Sequence, residues 1–380
     1  VEVEIDGIRH GFGPMLASDV PALFGDLATH PRALGPVDEL DWMKRQTRLT
    51  FARCGVIDPL SLEDYEAHGG LTGLRRALAM TGQEIVDEVK TSGLRGRGGA
   101  GFPTGIKWQT VHDAQAPQKY IVCNADEGDS GTFADRLLIE GDPFTLIEGM
   151  TLAAYAVGAS KGYVYLRSEY PLAEKVLARA LEAARSAGWL GAGIGGSDFD
   201  FDIELHIGAG SYVCGEETAM LESLEGKRGI VRSKPPLPAI EGLFGAPTVV
   251  NNVITLASVP GIVANGGAAY AALGSGRSTG TLTVQLAGNV RRGGLVEVPF
   301  GVSLRSLIED WGQGTASGRP VRAVQVGARD VPLAVVVGVV AEGQGPGHRG
   351  VDHVAGGLGA GRRPRDDLGD HGVVVHGHVR

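Results

Sequence analysis

The sequence predicts an α/β chain: a mainly parallel sheet flanked by helices, followed by a smaller mixed domain. Three observations carry this. Strand-like apolar runs at Tyr120–Cys123, Gly162–Arg167 and Phe201–Gly208 alternate with helical stretches at Asp142–Val157 and Pro171–Ala187, and such alternation builds parallel sheets. The first run breaks into Asn124, Asp126, Glu127, Gly128 and Asp129, at the strand end where open α/β sheets place their ligands. A glycine-rich stretch, GLRGRGGAGFPTGIKW from Gly93 to Trp108, precedes it. Glycines there let main-chain N–H groups approach an anion closely, and Arg97 and Lys107 add positive charge.

The 380 residues suffice for two or three domains. A net charge of −9 argues against nucleic acid as the main partner. No run approaches the ~20 apolar residues of a membrane helix and no secretory leader is visible, so a cytoplasmic chain without membrane insertion is expected. Cys54, Cys123 and Cys214 lie far apart, which points to a reducing compartment and to too few thiolates for a self-contained cluster. The chain opens on Val1, read as an unusual start or missing upstream sequence.

In order along the chain, residues 1–50 read as an arm or the remnant of a small domain, with a strand in VEVEIDG and a helix in DVPALFGDLATH. From Pro59 the pattern turns helical through SLEDYEAHGG and GLRRALAMTGQEIVDEVKTSG, with Leu74, Leu78 and Ile85 near one face and Gly82 interrupting. Gly96, Gly98 and Gly101 match G-x-G-x-x-G, but a helix end precedes them rather than a strand. Ile106 between Gly105 and Lys107 rules out a Walker loop. A phosphate cradle and a flexible surface loop both remain open on this stretch alone. In the later amphipathic helix, Leu172, Val176, Ala180 and Ala184 should face the sheet, and Phe201, Ile203, Leu205 and Ile207 should point inward. In GAGSYVCGEETAMLESLEGKRG, the pair Glu216–Glu217 opens a helix. It serves either the helix dipole or the hydroxyls of a ribose, and in the second case NAD(H) is preferred to NADP(H). KPPLPAIEGLFGAPTVVNNV reads as a rigid loop delivering Val250, Asn251 and Asn252 to a helix start, as cap or as ligand.

Together these four motifs resemble the flavoprotein subunit of respiratory NADH dehydrogenase (complex I) and its relatives in soluble NAD-dependent formate dehydrogenase and NAD-reducing hydrogenase, over about Leu49 to Val326. EGDSGTFADRLLIEGDPFTLIEGM looks more like the formate dehydrogenase and hydrogenase branch, and the opening residues and LPAIEGLFGAPTVVNNVITLASVP look like the beta subunit of soluble formate dehydrogenase. The resemblance implies FMN held by Gly96, Arg97, Gly98, Gly99 and Lys107, with Asn124, Asp126 and Glu127 around its ring and ribityl chain. Tyr212, Gly215 and Glu216 would line the same pocket, and Val250, Asn251 and Asn252 its phosphate end. NADH would lie against Phe102, with Asp129, Glu217 and Lys234 as polar contacts and Leu237 where relatives carry a stacking ring. Glu127 and Asp129 are the catalytic candidates. The implied function is a diaphorase subunit moving hydride between NAD(H) and FMN inside a soluble formate dehydrogenase. Its partners would be a molybdenum/iron–sulfur catalytic subunit and a thioredoxin-like [2Fe–2S] subunit. The alternatives are the complex I or hydrogenase subunit, or a truncated non-catalytic scaffold.

The resemblance divides the chain into 51–262, the FMN- and NADH-binding domain, and 270–326, a ubiquitin-like β-grasp domain assembled from TLTVQLAGNV, GLVEVPF, SLRSLIEDWG and RAVQVG. Relatives continue into a helical bundle that ligates a [4Fe–4S] cluster. Here residues 327–380 contain no cysteine, so those ligands are absent, and the stretch is rich in Gly, Val, Arg, Asp and His. It reads as a disordered tail created by a frame shift, in preference to a metal site at His376 and His378.

Overall fold

The computed structural model describes residues 1–25, 27–129, 131–326, 335–341 and 375–376. Two compact units divide the chain, Val1–Thr47 and Arg48–Arg380. The first is a three-stranded antiparallel sheet of β1 (Glu2–Ile5), β2 (Ile8–Phe12) and β3 (Ala33–Pro36). The helix expected in DVPALFGDLATH is instead a 3₁₀ turn at Ala17–Phe24 with Pro21 inside it, because proline removes the amide an α-helix would use.

In the second unit the helical run before the glycine stretch ends in α1 (Gly82–Ser92). Thr81 and Glu84 close its N-terminus as a reciprocal capping box. Gly93 ends it in the left-handed conformation at φ +65°. After the stretch come α2 (Thr104–Asp113), β4 (Tyr120–Ala125), α3 (Ala134–Gly141), α4 (Pro143–Val157), β5 (Lys161–Leu166), α5 (Pro171–Ser186), β6 (Asp202–Ile207), α6 (Glu217–Leu224), β7 (Thr248–Asn252) and α7 (Val253–Asn265). The four strands pair in parallel in the order β6–β5–β4–β7. One of them differs from the sequence reading: TVVNN is a strand, not the end of a loop. Its Thr248, Val249, Val250 and Asn251 are buried, and β-branched residues suit a covered strand.

The connections fix where a ligand can enter. From β4 the chain moves one way, to β5 and then β6, and it returns to the other side of β4 as β7. The crevice between β4 and β7 is therefore the switch point of the sheet, with Asn124 opposite Asn252 at its carboxyl end.

α4 is buried almost throughout and packs so tightly on α7 that a Cβ at Gly149 would stand 2.1 Å from the Leu256 carbonyl oxygen. On α5 the buried stripe is Ala173, Val176, Leu177, Ala180, Leu181 and Ala184. Leu172, expected among them, is 51% exposed, since at 3.6 residues per turn it lies about 100° round from Ala173.

Beyond a short helix α8 (Gly267–Ala271), a second sheet contains β8 (Thr281–Gly288), β9 (Gly294–Pro299) and β10 (Val321–Val326). Between β8 and β10 lies β11 (Val335–Ala341), parallel to β8 and antiparallel to β10, and β12 (Val375–His376) pairs with β10. The boundary drawn at Val326 is thus too early for this sheet: VVVGVVA is a β-branched run of strand type. The rest of the expected disordered tail lies outside the described residues.

Candidate functional site

The glycine stretch is a loop closed at its base and open at its tip. Arg95 bridges Pro103, the Gly96 amide donates to the Phe102 carbonyl at 2.9 Å, and the Thr104 amide donates to the Leu94 carbonyl at 2.9 Å. At the tip, Gly99 and Gly101 have φ of +110° and +60°, where side chains are strained. Gly98 meets the carboxyl end of β7: a Cβ there would stand 3.1 Å from Asn252 Cβ. The loop tip therefore lies over the switch point.

Lys107, in the first turn of α2, donates to the Val250 carbonyl at 2.6 Å and lies 3.7 Å from a Glu217 carboxylate oxygen. Burial pushes its ammonium below the ordinary lysine value, and Glu217 opposes that shift. Arg97, expected to hold FMN, has protein partners for both terminal guanidinium nitrogens, while its Nε is buried without one. Its guanidinium donates to the Arg95 carbonyl, the Tyr270 hydroxyl at 3.0 Å and the Thr279 carbonyl at 2.8 Å, and lies 4.7 Å over the Phe300 ring. These partners lie before and within the second sheet, so the side chain ties the loop down while its backbone N–H is held by Thr255 Oγ1 at 2.8 Å.

At the end of β4, Asn124 donates to the Gly215 carbonyl at 2.8 Å and accepts from the Asp126 amide at 3.1 Å. Burial pushes the Asp126 carboxyl up to about 6, against the pull of Arg167 and with Glu169 adding to the rise. Glu127, expected near the flavin ring, has protein partners in this structure. Both of its oxygens are committed to protein donors: the Asp135 amide at 3.0 Å, the Arg136 amide at 3.2 Å and the Tyr170 hydroxyl at 2.9 Å. Phe133, at the cap position of α3, has no side-chain acceptor to offer, and Glu127 supplies it from six residues upstream. It thus serves as a cap for the first amides of α3. Asp129 does stay available. Its Oδ1 accepts from the Tyr212 hydroxyl at 2.7 Å, while its buried Oδ2 has no partner.

The Glu216–Glu217 pair divides its two possible roles. Glu216 caps α6, accepting from the Thr218 amide at 2.8 Å and the Ala219 amide at 2.9 Å. Glu217 accepts from Lys234 at 2.8 Å, and Lys234 also reaches Glu216 at 2.9 Å. Against the cost of burial, these two carboxylates raise Lys234 above the ordinary lysine value. Asn252 is the cap of α7, accepting from the Thr255 amide, and Asn251 accepts from Trp108 Nε1 at 3.0 Å. Both amides thus hold α2 and α7 on β7. Val250 contributes its carbonyl to Lys107. Tyr212 packs on the acidic loop, where a Cβ at Gly128 would meet its ring at 2.8 Å. Gly215 approaches the Asp126 carbonyl oxygen at a virtual Cβ distance of 3.4 Å. Phe102, Tyr212 and Leu237 are exposed.

The arrangement fits a phosphate-bearing planar cofactor. Backbone at the glycine tip can be approached without side chains, the half-buried Lys107 ammonium sits on the Val250 carbonyl of the neighbouring strand, and Thr104 Oγ1 and Asp129 Oδ2 are buried polar atoms without partners. The sequence reading missed Thr104, Thr255 and Tyr170. Asn252 followed by Thr255 is a cap spacing that could have flagged the second; Tyr170 had no local signal. A separate cavity of about 420 Å³, lined among others by Arg48, Arg53, Tyr65, Glu148 and Tyr270, includes none of the expected site residues. Among the described residues no group of three metal-ligating side chains occurs, and no helix is long and apolar enough to cross a membrane.

Residues 89–261 match the family model described as the Nuo51 FMN-binding domain. The chain is 53% identical over 284 residues to the HndC subunit of the NADP-reducing hydrogenase of Solidesulfovibrio fructosivorans, covering 75% of this chain and 58% of that protein. It is 53% identical over 273 residues to the F 2 subunit of NADH-quinone oxidoreductase of Rhizobium meliloti, covering 72% and 65%. The crystal structure of an NAD⁺-reducing [NiFe]-hydrogenase in the air-oxidised state is similar at a TM-score of 0.63 and 33% identity, over 87% of this chain and 58% of that one. The chain thus spans about three fifths of the length of these proteins.

Proposed function

The chain belongs, through residues 89–261, to the Nuo51 FMN-binding family, the flavoprotein family of complex I, and on that premise we propose that it is an NADH:acceptor oxidoreductase subunit. The observation that carries this is the set of groups gathered at the carboxyl ends of β4 and β7: the glycine loop against Asn252, Lys107 on the Val250 carbonyl, and the unpartnered Oδ2 of Asp129. FMN, when bound, supplies the two-electron acceptor for a hydride from NADH. The chain's own residues place and select. Lys107 offers positive charge, and the glycine tip is where phosphate is best held. Asp129, fixed by Tyr212, keeps one buried carboxylate oxygen without a protein partner, and we assign it to the nicotinamide. Glu217 and Lys234 form the polar pair for the adenosine ribose, with Phe102 exposed as a stacking face.

The finer assignments belong to the same proposal. Residues 51–262 are the FMN- and NADH-binding domain, and residues 270–326 are a ubiquitin-like β-grasp domain. The opening residues and the wording LPAIEGLFGAPTVVNNVITLASVP favour a formate-oxidising host complex with molybdenum/iron–sulfur and [2Fe–2S] partner subunits. The named relatives favour a second reading, a hydrogen- or quinone-linked host. The test is direct: the purified chain, incubated with FMN and desalted, should be yellow, be bleached by NADH without oxygen, and reduce ferricyanide. A colourless protein refutes the flavoprotein assignment. A yellow protein that NADH does not bleach refutes the hydride reaction.

A further inference from the structure

The second sheet reaches the acidic loop through one buried amide. β8 reads TLTVQLAG, and its alternate residues Thr281, Thr283 and Gln285 are polar, a pattern that ordinarily marks a solvent face. All three are buried, Gln285 to 2% exposure. Glu297, on β9 opposite Thr283, is buried as well. It accepts from the Leu49, Thr50 and Phe51 amides at 3.0 to 3.1 Å and from the Thr281 hydroxyl at 2.6 Å. The polar face of this sheet is therefore a docking face against the α/β domain. Buried polar contacts of this kind fix a unique geometry.

Gln285 is the member of that face that touches the site. Its Oε1 accepts from the Phe133 amide at 2.5 Å. Phe133 closes the segment that begins at Asp129, and the Thr132 amide donates back to the Asp129 carbonyl at 3.1 Å. The α3 end of this segment is therefore held from two sides: Glu127 takes the Asp135 and Arg136 amides, and Gln285 takes the Phe133 amide. At its other end Asp129 is held through Oδ1 by Tyr212, leaving Oδ2 free. Gln285 Nε2 is buried and without a partner. A leucine would fill the site without leaving an amide behind, so retention of the oxygen is what distinguishes glutamine here.

We propose that Gln285 is a positioning residue for hydride transfer, holding Phe133 and, through the adjoining Thr132 amide on the Asp129 carbonyl, keeping Asp129 in place for the nicotinamide. This rests on the function proposed above. The second sheet would then set the geometry of a site to which it contributes no ligand-touching group.

The experiment uses the full chain loaded with FMN, with Gln285→Leu removing the acceptor and Gln285→Glu retaining it. Gln285→Leu should speed amide hydrogen exchange in the peptide spanning 129–136 and lower kcat/KM for NADH about fivefold, the weight of one hydrogen bond. FMN content and exchange elsewhere should stay as in the parent. Gln285→Glu should restore both readouts towards the parent. Unchanged exchange at 129–136, a general loosening of the whole domain, or a loss of activity that only tracks lost FMN would each overturn the proposal. If the parent chain binds FMN yet is not bleached by NADH, the hydride reading fails, and the positioning role for hydride transfer falls with it. The exchange result then still decides separately whether Gln285 holds the segment.

Discussion

Glu127 is where the catalytic and the architectural readings predict different things. Replacing it with alanine removes the acceptor for three donors: the Asp135 amide, the Arg136 amide and the Tyr170 hydroxyl. Asp135 is buried, so its amide loses the full value of a buried bond, about 1–3 kcal/mol. Arg136 is exposed and its amide can turn to water. Tyr170 keeps the Thr132 carbonyl at 3.3 Å. Each of these two contributes about 0.5–1 kcal/mol. Relief at Asp135 offsets part of the loss, because Glu127 helps push that carboxyl upward, after burial itself. The net expectation is a destabilisation of about 2–4 kcal/mol for Glu127→Ala and about 1 kcal/mol for Glu127→Gln, which keeps one acceptor. Urea titration followed by circular dichroism measures it, alongside NADH–ferricyanide turnover at saturating FMN. If Glu127→Ala leaves stability within about 0.5 kcal/mol while turnover collapses a hundredfold, the cap argument is wrong and the carboxylate is a reacting group.

Lys107→Ala should weaken FMN binding by about 1.5–3 kcal/mol, the range for a charge-assisted bond, whereas Arg97→Ala should chiefly lower the melting temperature by freeing Tyr270 and Thr279; fluorescence titration with FMN, paired with thermal melts, separates them, and equal FMN loss without a stability change would return Arg97 to the phosphate. Asp126, whose carboxyl rises from 3.8 to about 6 through burial, keeps its proton in the folded chain over a window where the unfolded chain has released it. Folding then binds a proton, so stability relative to Asp126→Asn should fall as pH rises from about 4 to 6 and level off above; a difference that rises or stays flat across that window contradicts the shift.

The α/β class, the parallel strands at 120, 162 and 202, and the crevice beside Asn124 and Asp126 were legible in the sequence because apolar period and chain order govern them. The helical run ahead of the glycine stretch was legible for the same reason, through Leu74, Leu78 and Ile85, with Gly82 interrupting where α1 begins. The strand Thr248–Asn252 was not, since five residues between a proline-rich loop and a helix carry no period of their own. What each polar side chain does was decided only by tertiary structure. Glu127 and Asp129 are two residues apart and alike in chemistry, yet one lies against the amide end of α3 and the other keeps an oxygen free. Glu216 and Glu217 share Lys234, yet only Glu216 caps α6. Arg97 sits in the middle of an anion-binding motif, and its guanidinium is drawn instead to Tyr270, Thr279 and Phe300. Gln285 lies 152 residues beyond the Phe133 amide it holds. Residue type and spacing specify which groups can bind a ligand, but a carboxylate or guanidinium binds whichever unpaired donor or acceptor the fold brings nearest. That competition between protein and ligand partners is settled by distances that exist only in the folded chain.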